Sequence, residues 1–294
     1  MLDSFISYLN FERRSSPHTI LAYQQDLAQF QAFLINTFNG LTTQSAEYSH
    51  IRSWIVSLVE VENSSRTINR KIASLRAYYK FLLKKEAISK DPTTKVTVLK
   101  VKKRLPQFVE EADIIDLLEK EETDGSQFII LRNRLIIELF YGTGMRLSEL
   151  IGIKNESISL FESVIKVLGK RNKERVIPIN KSLFSLIKEY IEIRRKEFPA
   201  VEHDSFLLTA IGAPVYPKLV YRVVKNKLSM ISNLDKRSPH ILRHTFATHL
   251  LEKGADLNAI KDLLGHSSLA ATQIYTHNSI EKLKAIFNQA HPKA

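Results

Sequence analysis

The sequence contains no cysteine, which excludes disulfide bonds and thiolate-ligated metal sites. No apolar run approaches the ~20 residues needed to cross a bilayer, and the opening MLDSFISYLNFERR is too polar for a secretion signal. The sequence therefore predicts a soluble cytoplasmic protein. It also lacks a Walker loop and an acidic metal cluster, so we expect no nucleotide cofactor and no metal.

Acidic residues are in deficit, with 31 Asp and Glu against 43 Lys and Arg, a formal net charge of +12 and a pI near 9.6. The segment from Arg66 to Arg104 is the most basic part, since its only acids are Glu86 and Asp91. Such a balance favours a polyanionic partner. An anionic membrane is the weaker alternative, because no basic amphipathic helix stands outside the folded pattern. We expect a nucleic-acid-binding protein associated with the nucleoid.

Helical periodicity dominates the first part of the chain. Apolar residues recur at helical spacing in residues 2–12, 18–38, 48–61 and 66–87. No convincing strand occurs there, so residues 1–90 predict a four-helix domain. Residues 91–106 form a basic connector without clear period. Composition alone leaves open whether this connector is solvated or follows a DNA backbone.

The second block, residues 107–294, combines helices with one hairpin signal. Residues 163–168 and 175–179 are β-branched runs around a basic turn. With 294 residues the chain is long enough for two domains. The predicted fold class is mainly α with a small β component.

The most informative stretch runs from Ser238 to His277. His240 and Arg243 are three residues apart on a predicted helix, so they share a face. A second short helix, residues 256–264, ends at Gly265, directly before His266, and Tyr275 follows nine residues later. Guanidinium groups bind phosphate oxygens in pairs, and tyrosine is a covalent nucleophile. This combination suits a phosphodiester substrate.

The motifs HILRHTFATHLL, LLGHSS and AATQIYTH resemble the carboxyl-terminal signature of tyrosine recombinases, and of the Xer branch in particular. GTGMRLSEL and VLGKRNKERVIP are similar to the segments that carry the first arginine and the lysine of that signature. The resemblance extends over the whole chain. It implies an N-terminal SAM-like core-binding domain and a mixed α/β catalytic domain, which close as a clamp around duplex DNA.

The resemblance also implies the catalytic roles. Tyr275 is the nucleophile that forms a 3′-phosphotyrosyl bond, His240 accepts a proton, and Lys170 protonates the leaving 5′-hydroxyl. The remaining three catalytic residues stabilise charge on the phosphate: Arg146, Arg243 and His266. Because the bond energy stays in the ester, rejoining requires neither ATP nor a metal ion.

Individual residues leave alternatives open. Glu149, one turn beyond Arg146, either orients its neighbours or faces solvent. Arg171 stands where many relatives have glycine, so the hairpin turn is expected to bend differently here. His249 lies on an apolar stripe and is predicted to be a hydrogen-bonded core residue. Zinc binding by His240 and its i+4 neighbour is disfavoured, because no glutamate lies between them.

The implied partners are double-stranded DNA, a homo- or heterotetramer with a paralogous recombinase on two DNA sites, and a septal DNA translocase. The implied role is the resolution of chromosome dimers at a dif-like site through a Holliday junction. A C-terminal helix, residues 279–290, would pack on the neighbouring subunit or cap its own domain. Alternatives are an integrase of a mobile element and a catalytically silent architectural DNA-binding protein. The candidate DNA contacts are Arg66, Arg70, Lys71, Arg76, Lys102, Lys103, Arg104, Arg171, Lys173 and Arg222.

Overall fold

The computed structural model describes residues 1–101, 107–120, 125–169, 174–231 and 234–265. The chain divides into two compact units, Met1–Arg104 and Leu105–Ala294. The mainly helical fold class with a small sheet is confirmed. Among the described residues no helix is both long and apolar enough to span a membrane.

The first unit is a bundle of helices, as predicted. Its elements are α1 (Leu2–Ser7), which continues into one π-helical turn (Tyr8–Glu12), α2 (Pro17–Thr37), α3 (Tyr48–Glu60) and α4 (Ser65–Lys84).

Helices α2 and α4 are both capped at the N-terminus by a serine hydroxyl. The Ser16 hydroxyl accepts the Thr19 N–H at 3.3 Å, and the Ser64 hydroxyl accepts the Thr67 N–H at 3.2 Å. Such caps satisfy backbone donors that have no partner inside the helix.

A buried ion network joins α2 to α4. Asp26 is 1% exposed and accepts hydrogen bonds from Arg70, from Lys71 at 3.0 Å and from Ser74 at 2.7 Å. Lys71 also donates to Gln29. Lys71 is therefore inside the bundle rather than free to reach DNA. Successive side chains on a helix are rotated by about 100° about its axis, so Lys71 faces the interior while Arg70, its neighbour in the sequence, faces the surface.

Replacing Asp26 by alanine should destabilise the first unit by about 3–5 kcal/mol, because it leaves the buried Lys71 ammonium without its carboxylate. Trp54 is the only tryptophan of the chain and is 3% exposed in the core of this unit, so its fluorescence can follow urea unfolding. Glu12→Ala is the matched control. It removes an exposed pair with Lys84 at 3.6 Å and should cost less than about 1 kcal/mol. Equal costs for the two variants would contradict this prediction.

The start of the connector packs on α4. Asn69 donates to the Leu99 carbonyl and accepts from the Leu99 N–H, both at 2.8 Å. Arg76 donates to the Val96 carbonyl, and Val96 is 5% exposed. Residues 91–101 therefore lack regular structure, as expected, but they are bound to the helical bundle. Lys102, Lys103 and Arg104 lie outside the described residues.

The second unit is built around α6. Its helices are α5 (Glu111–Glu119), α6 (Gln127–Thr143), α7 (Leu147–Ile151), α8 (Lys181–Glu197), α9 (Pro217–Leu228), α10 (Pro239–Glu252) and α11 (Leu257–Leu264). Buried side chains cover every face of the second half of α6, from Leu135 to Tyr141. Apart from Glu138, these side chains are hydrophobic, as is typical of a helix in the core of a domain.

A small antiparallel sheet lies in the same unit. Its order is β1 (Ile158–Ser159), β2 (Val164–Leu168) and β3 (Glu174–Pro178), with Val164 opposite Pro178. The predicted hairpin is present; β2 begins one residue later than predicted, and β3 begins and ends one residue earlier. The two-residue β1 was not predicted, because it is too short to show a period. The hairpin turn, which includes Lys170, Arg171 and Lys173, lies outside the described residues.

Candidate active site

Gly144 ends α6 and sets the position of Arg146. Its φ of +60° is left-handed, and its N–H bonds to the Phe140 carbonyl at 3.0 Å. Glycine adopts this conformation without steric cost. After the resulting turn Arg146 becomes the N-cap residue of α7, with a half-buried side chain.

Gly144→Ala should therefore impair the site directly. A Cβ atom at this position would lie 2.5 Å from the Phe246 ring and 2.8 Å from the Leu264 side chain. The contact must push α10 and α11 away, and alanine is strained at this φ. We expect a loss of about 2–4 kcal/mol in unfolding free energy by urea denaturation. Gly254→Ala is the control, because that glycine also has positive φ but no atom within 4 Å of its Cβ. A cost no greater than that of Gly254→Ala would mean that the close approach is unimportant.

Glu149 is buried and holds Arg146 in two ways. Its carboxylate accepts the Arg146 N–H at 2.7 Å and the Arg146 Nη1 at 2.8 Å. Glu149 is 4% exposed, so the solvent-facing alternative is wrong and the orienting alternative is confirmed. The bond from the Arg146 N–H to the Glu149 carboxylate is one half of a helix capping box, and the second bond orients the Arg146 guanidinium.

Arg175, in β3, is the second partner of Glu149. It makes a bidentate pair with the two carboxylate oxygens, at 2.6 and 2.8 Å. Burial by itself raises the pKa of Glu149, but the hydrogen bonds and charge of Arg175, together with the bonds from Arg146, lower it to about 2. Glu149 is therefore ionised throughout the ordinary pH range.

The depressed pKa of Glu149 predicts acid sensitivity. The stabilisation is fully present above its unfolded value of 4.5 and is lost as the pH falls towards about 2. The shift corresponds to roughly 3 kcal/mol. The measurement is the unfolding free energy from urea titrations at pH 5 and pH 3, for wild type and Glu149→Gln. The variant should lose less stability than wild type over this interval, and an equal loss would contradict the assignment.

Arg243 lies on α10, one turn beyond His240. Its guanidinium donates to the Gly144 carbonyl and to the Leu264 carbonyl, the latter at 2.7 Å. Burial, and the nearby charges of Arg146 and Arg175, lower the pKa of Arg243 to about 10. It remains charged at neutral pH. A guanidinium has five N–H donors, so these two anchoring bonds leave donors available for a phosphate.

The structure brings Arg146 and Arg243 together at one place, the end of α11. Arg146 donates to the Gly265 carbonyl at 3.1 Å, next to the Leu264 carbonyl that Arg243 contacts. His240 is exposed on the first turn of α10. Three arginines and one glutamate make the centre net positive. Such a centre can bind an anion and stabilise negative charge that develops on it.

Three of the six predicted catalytic residues, Lys170, His266 and Tyr275, lie outside the described residues, and His266 directly follows Gly265 in the sequence. His249 is 1% exposed and its Nδ1 lies 3.0 Å from the Tyr141 hydroxyl, which confirms its core role. Within the described part of the chain, no group of three His, Asp or Glu side chains is placed to hold a metal ion.

Sequence reasoning did not single out Arg175, which entered as the first residue of the predicted strand 175–179. A signal was available, because alternation along a strand puts Arg175 on the same face as the buried Ile177. A charged residue on the buried face of a strand needs a partner, and here that partner is Glu149.

Comparison with known proteins identifies the family of the chain. Residues 107–282 match the Phage integrase family, and residues 2–86 match the Phage integrase N-terminal SAM-like domain. The chain therefore belongs to the phage integrase family, as a tyrosine recombinase of the Xer type, an enzyme of site-specific DNA recombination.

Its relatives are full-length matches. The chain is 35% identical to the tyrosine recombinase XerC of Chlorobaculum parvum over 317 residues, covering 100% of this chain and 94% of the relative. It is 38% identical to XerC of Staphylococcus carnosus, with 99% and 97% covered. It is 33% identical to XerD of Staphylococcus haemolyticus, with 100% and 99% covered.

Two solved structures share the fold. The XerH site-specific recombinase bound to a palindromic difH substrate aligns with a TM-score of 0.72 at 23% identity, over 97% of this chain and 83% of that one. The Tn1549 transposon integrase in complex with circular intermediate DNA aligns with a TM-score of 0.71 at 20% identity, over 96% and 97%.

Proposed function

We propose that this protein resolves chromosome dimers at a dif-like site, by cutting and rejoining DNA through a 3′-phosphotyrosyl intermediate and a Holliday junction. The observation that carries the chemistry is the convergence of Arg146 and Arg243 on the carbonyls of Leu264 and Gly265. The chromosomal role is supported by full-length similarity to proteins named XerC and XerD.

The scissile phosphate would bind between the two guanidinium groups. Attack by the Tyr275 hydroxyl adds negative charge to the non-bridging oxygens. Arg146, Arg243 and His266 stabilise that charge, each donor contributing on the order of 3 kcal/mol. Since the anchoring bonds to backbone carbonyls hold the arginines before DNA arrives, little reorganisation is needed during the reaction.

Proton transfer completes the step. A phenol titrates near ~10, so Tyr275 needs an acceptor for its proton, and His240 takes that role from the exposed first turn of α10. Lys170 donates a proton to the leaving 5′-oxygen. Reversal by a second 5′-hydroxyl rejoins the strand, with no requirement for ATP or a metal ion.

DNA binding and assembly rest on exposed basic residues and on the relatives. Arg66, Arg70 and Arg76 are exposed on α4, and Arg222 is exposed on α9. Lys71 is excluded from the proposed contacts because it is only 5% exposed, whereas Arg70 reaches the surface although it also contacts Asp26. We propose a tetramer on two DNA sites and a septal translocase as activator. The predicted C-terminal helix, residues 279–290, lies outside the described residues, and we propose that this segment packs on the neighbouring subunit.

The experiment that tests this function uses a nicked duplex carrying a dif-like site, incubated with the protein in EDTA and resolved on a denaturing gel. The nick lets the cleaved fragment diffuse away, so the covalent complex accumulates. We expect a protein–DNA band that forms without Mg²⁺. A parallel duplex carries the ends of a mobile element.

Each outcome has a distinct meaning. A band on the dif-like duplex supports the proposal. A band on the mobile-element duplex alone would mean an integrase with the same chemistry. Tight binding without a band on either duplex would overturn catalysis and leave an architectural DNA-binding protein.

A further inference from the structure

Arg175 is too buried to contact DNA, with a side chain that is 5% exposed. Its three bonds are directed inwards. Nη1 and Nη2 bind the two oxygens of Glu149, and Nε donates to the Leu263 carbonyl at 2.9 Å. One planar guanidinium therefore links β3, α7 and the last turn of α11.

The last turn of α11 is held by three arginines in succession. The carbonyls of Leu263, Leu264 and Gly265 accept from Arg175, Arg243 and Arg146, at 2.9, 2.7 and 3.1 Å. Carbonyls at a helix C-terminus have no partner within the helix and carry partial negative charge. Arg175 is the only one of these three arginines that is fully buried. Its position is therefore the most restricted, and it can hold in place the helix end to which Arg146 and Arg243 also bind.

We propose that Arg175 is a positioning residue for phosphodiester cleavage, which holds Glu149 and the end of α11 so that Arg146 and Arg243 are preset around the scissile phosphate. The inference rests on the proposed function. Its physical basis is that a shift of about 1 Å in a catalytic group can cost on the order of a hundredfold in rate.

The geometry requires arginine rather than lysine. A lysine at position 175 retains the charge, but one ammonium cannot reproduce two parallel bonds to Glu149 together with the bond to Leu263. Glycine at position 265 leaves room for the Arg175 side chain, because a Cβ atom at this position would lie 3.2 Å from the Arg175 Cδ.

Removing Arg175 also changes the charge state of Glu149. Arg175 is the main group that opposes the effect of burial on the pKa of this carboxylate. In Arg175→Met the pKa of Glu149 should therefore rise. Protonated Glu149 cannot hold Arg146 as a carboxylate does, so cleavage by the variant should decline as the pH falls. Wild type should show no decline from this group, because its Glu149 stays ionised.

The test compares single-turnover cleavage rates and DNA affinities of wild type, Arg175→Met and Arg175→Lys. The DNA is whichever of the two nicked duplexes wild type attaches to. Arg132→Met is the structural control, since Arg132 is a buried arginine of the same unit on α6. Melting temperature and circular dichroism verify folding, and rates are measured from pH 5 to pH 8.

We expect Arg175→Met to cleave about 100-fold more slowly, with DNA affinity within threefold of wild type. Its cleavage rate should also decrease at acidic pH, a decrease that wild type does not show. Arg175→Lys should cleave about 10-fold more slowly than wild type, without the decrease at acidic pH. If the methionine variant does not fold, the lysine variant is used to test the proposal. Arg132→Met should cleave like wild type.

Failure of the inference can be separated from failure of the proposed function. If wild type attaches to neither duplex, the proposed function fails and this inference with it. If wild type is active and folded Arg175→Lys or Arg175→Met cleaves at the same rate, only the positioning role is overturned. A rate loss in Arg132→Met as large as in Arg175→Met would also overturn it, because the effect would then be one of general stability.

Discussion

Tyr275→Phe should abolish covalent attachment to DNA and leave DNA binding unchanged. Phenylalanine keeps the ring but lacks the hydroxyl that attacks phosphorus, so no phosphotyrosyl bond can form. We expect the covalent band on the nicked duplex to fall at least about 10⁴-fold, below detection. Affinity, measured by gel shift at constant salt, should stay within twofold.

Tyr48→Phe is the matched control for this experiment. Tyr48 is 39% exposed and lies in α3 of the first unit, so Tyr48→Phe should retain the covalent band. A band that persists in Tyr275→Phe and is lost on replacing another tyrosine would assign the nucleophile elsewhere. The result would also test a residue that lies outside the described part of the chain.

Arg243→Met should slow cleavage by about 10²–10³-fold, the usual effect of removing one donor from a charge-stabilising site. The measurement is the single-turnover rate of covalent attachment at saturating protein. The substitution also removes the anchoring bonds to Gly144 and Leu264. It should therefore reduce unfolding free energy by about 1–3 kcal/mol, and the assay must be run well below the melting temperature of the variant.

Two comparisons make the result for Arg243 interpretable. Arg243→Lys keeps the charge but cannot hold both carbonyls and a phosphate, so we expect a smaller but clear loss. Arg195→Met removes an exposed arginine from α8 and should leave the rate unchanged. Wild-type rates in folded Arg243→Met would exclude this guanidinium from the reaction.

Arg146 and Arg175 show why one buried carboxylate is needed among the cations. Three guanidinium groups close together repel each other, and this repulsion contributes to the lowered pKa of Arg243. Glu149 offsets part of it without making the centre negative. The remaining positive charge favours the binding of a phosphate.

Local sequence signals were sufficient for most of the helical architecture. Ser16, Ser64 and Asn180 all cap helices as their positions indicate, and each accepts a backbone N–H three residues later. Capping and periodicity depend on near neighbours in the chain, so they can be read without the fold. The same holds for His240 and Arg243, whose shared face follows from helical geometry alone.

The tertiary structure alone decided how the site is held together. The partners of Glu149 come from α7 and β3, and the carbonyls that bind the arginines come from α11, at sequence separations of up to 119 residues. No local pattern encodes such contacts. The burial of Lys71 beside Asp26, 45 residues away, is of the same kind. The sequence by itself determined the class of protein and the residue types of its chemistry. Long-range packing decided which charges are paired inside and which remain available for DNA, because pairing depends on which surfaces the fold removes from water.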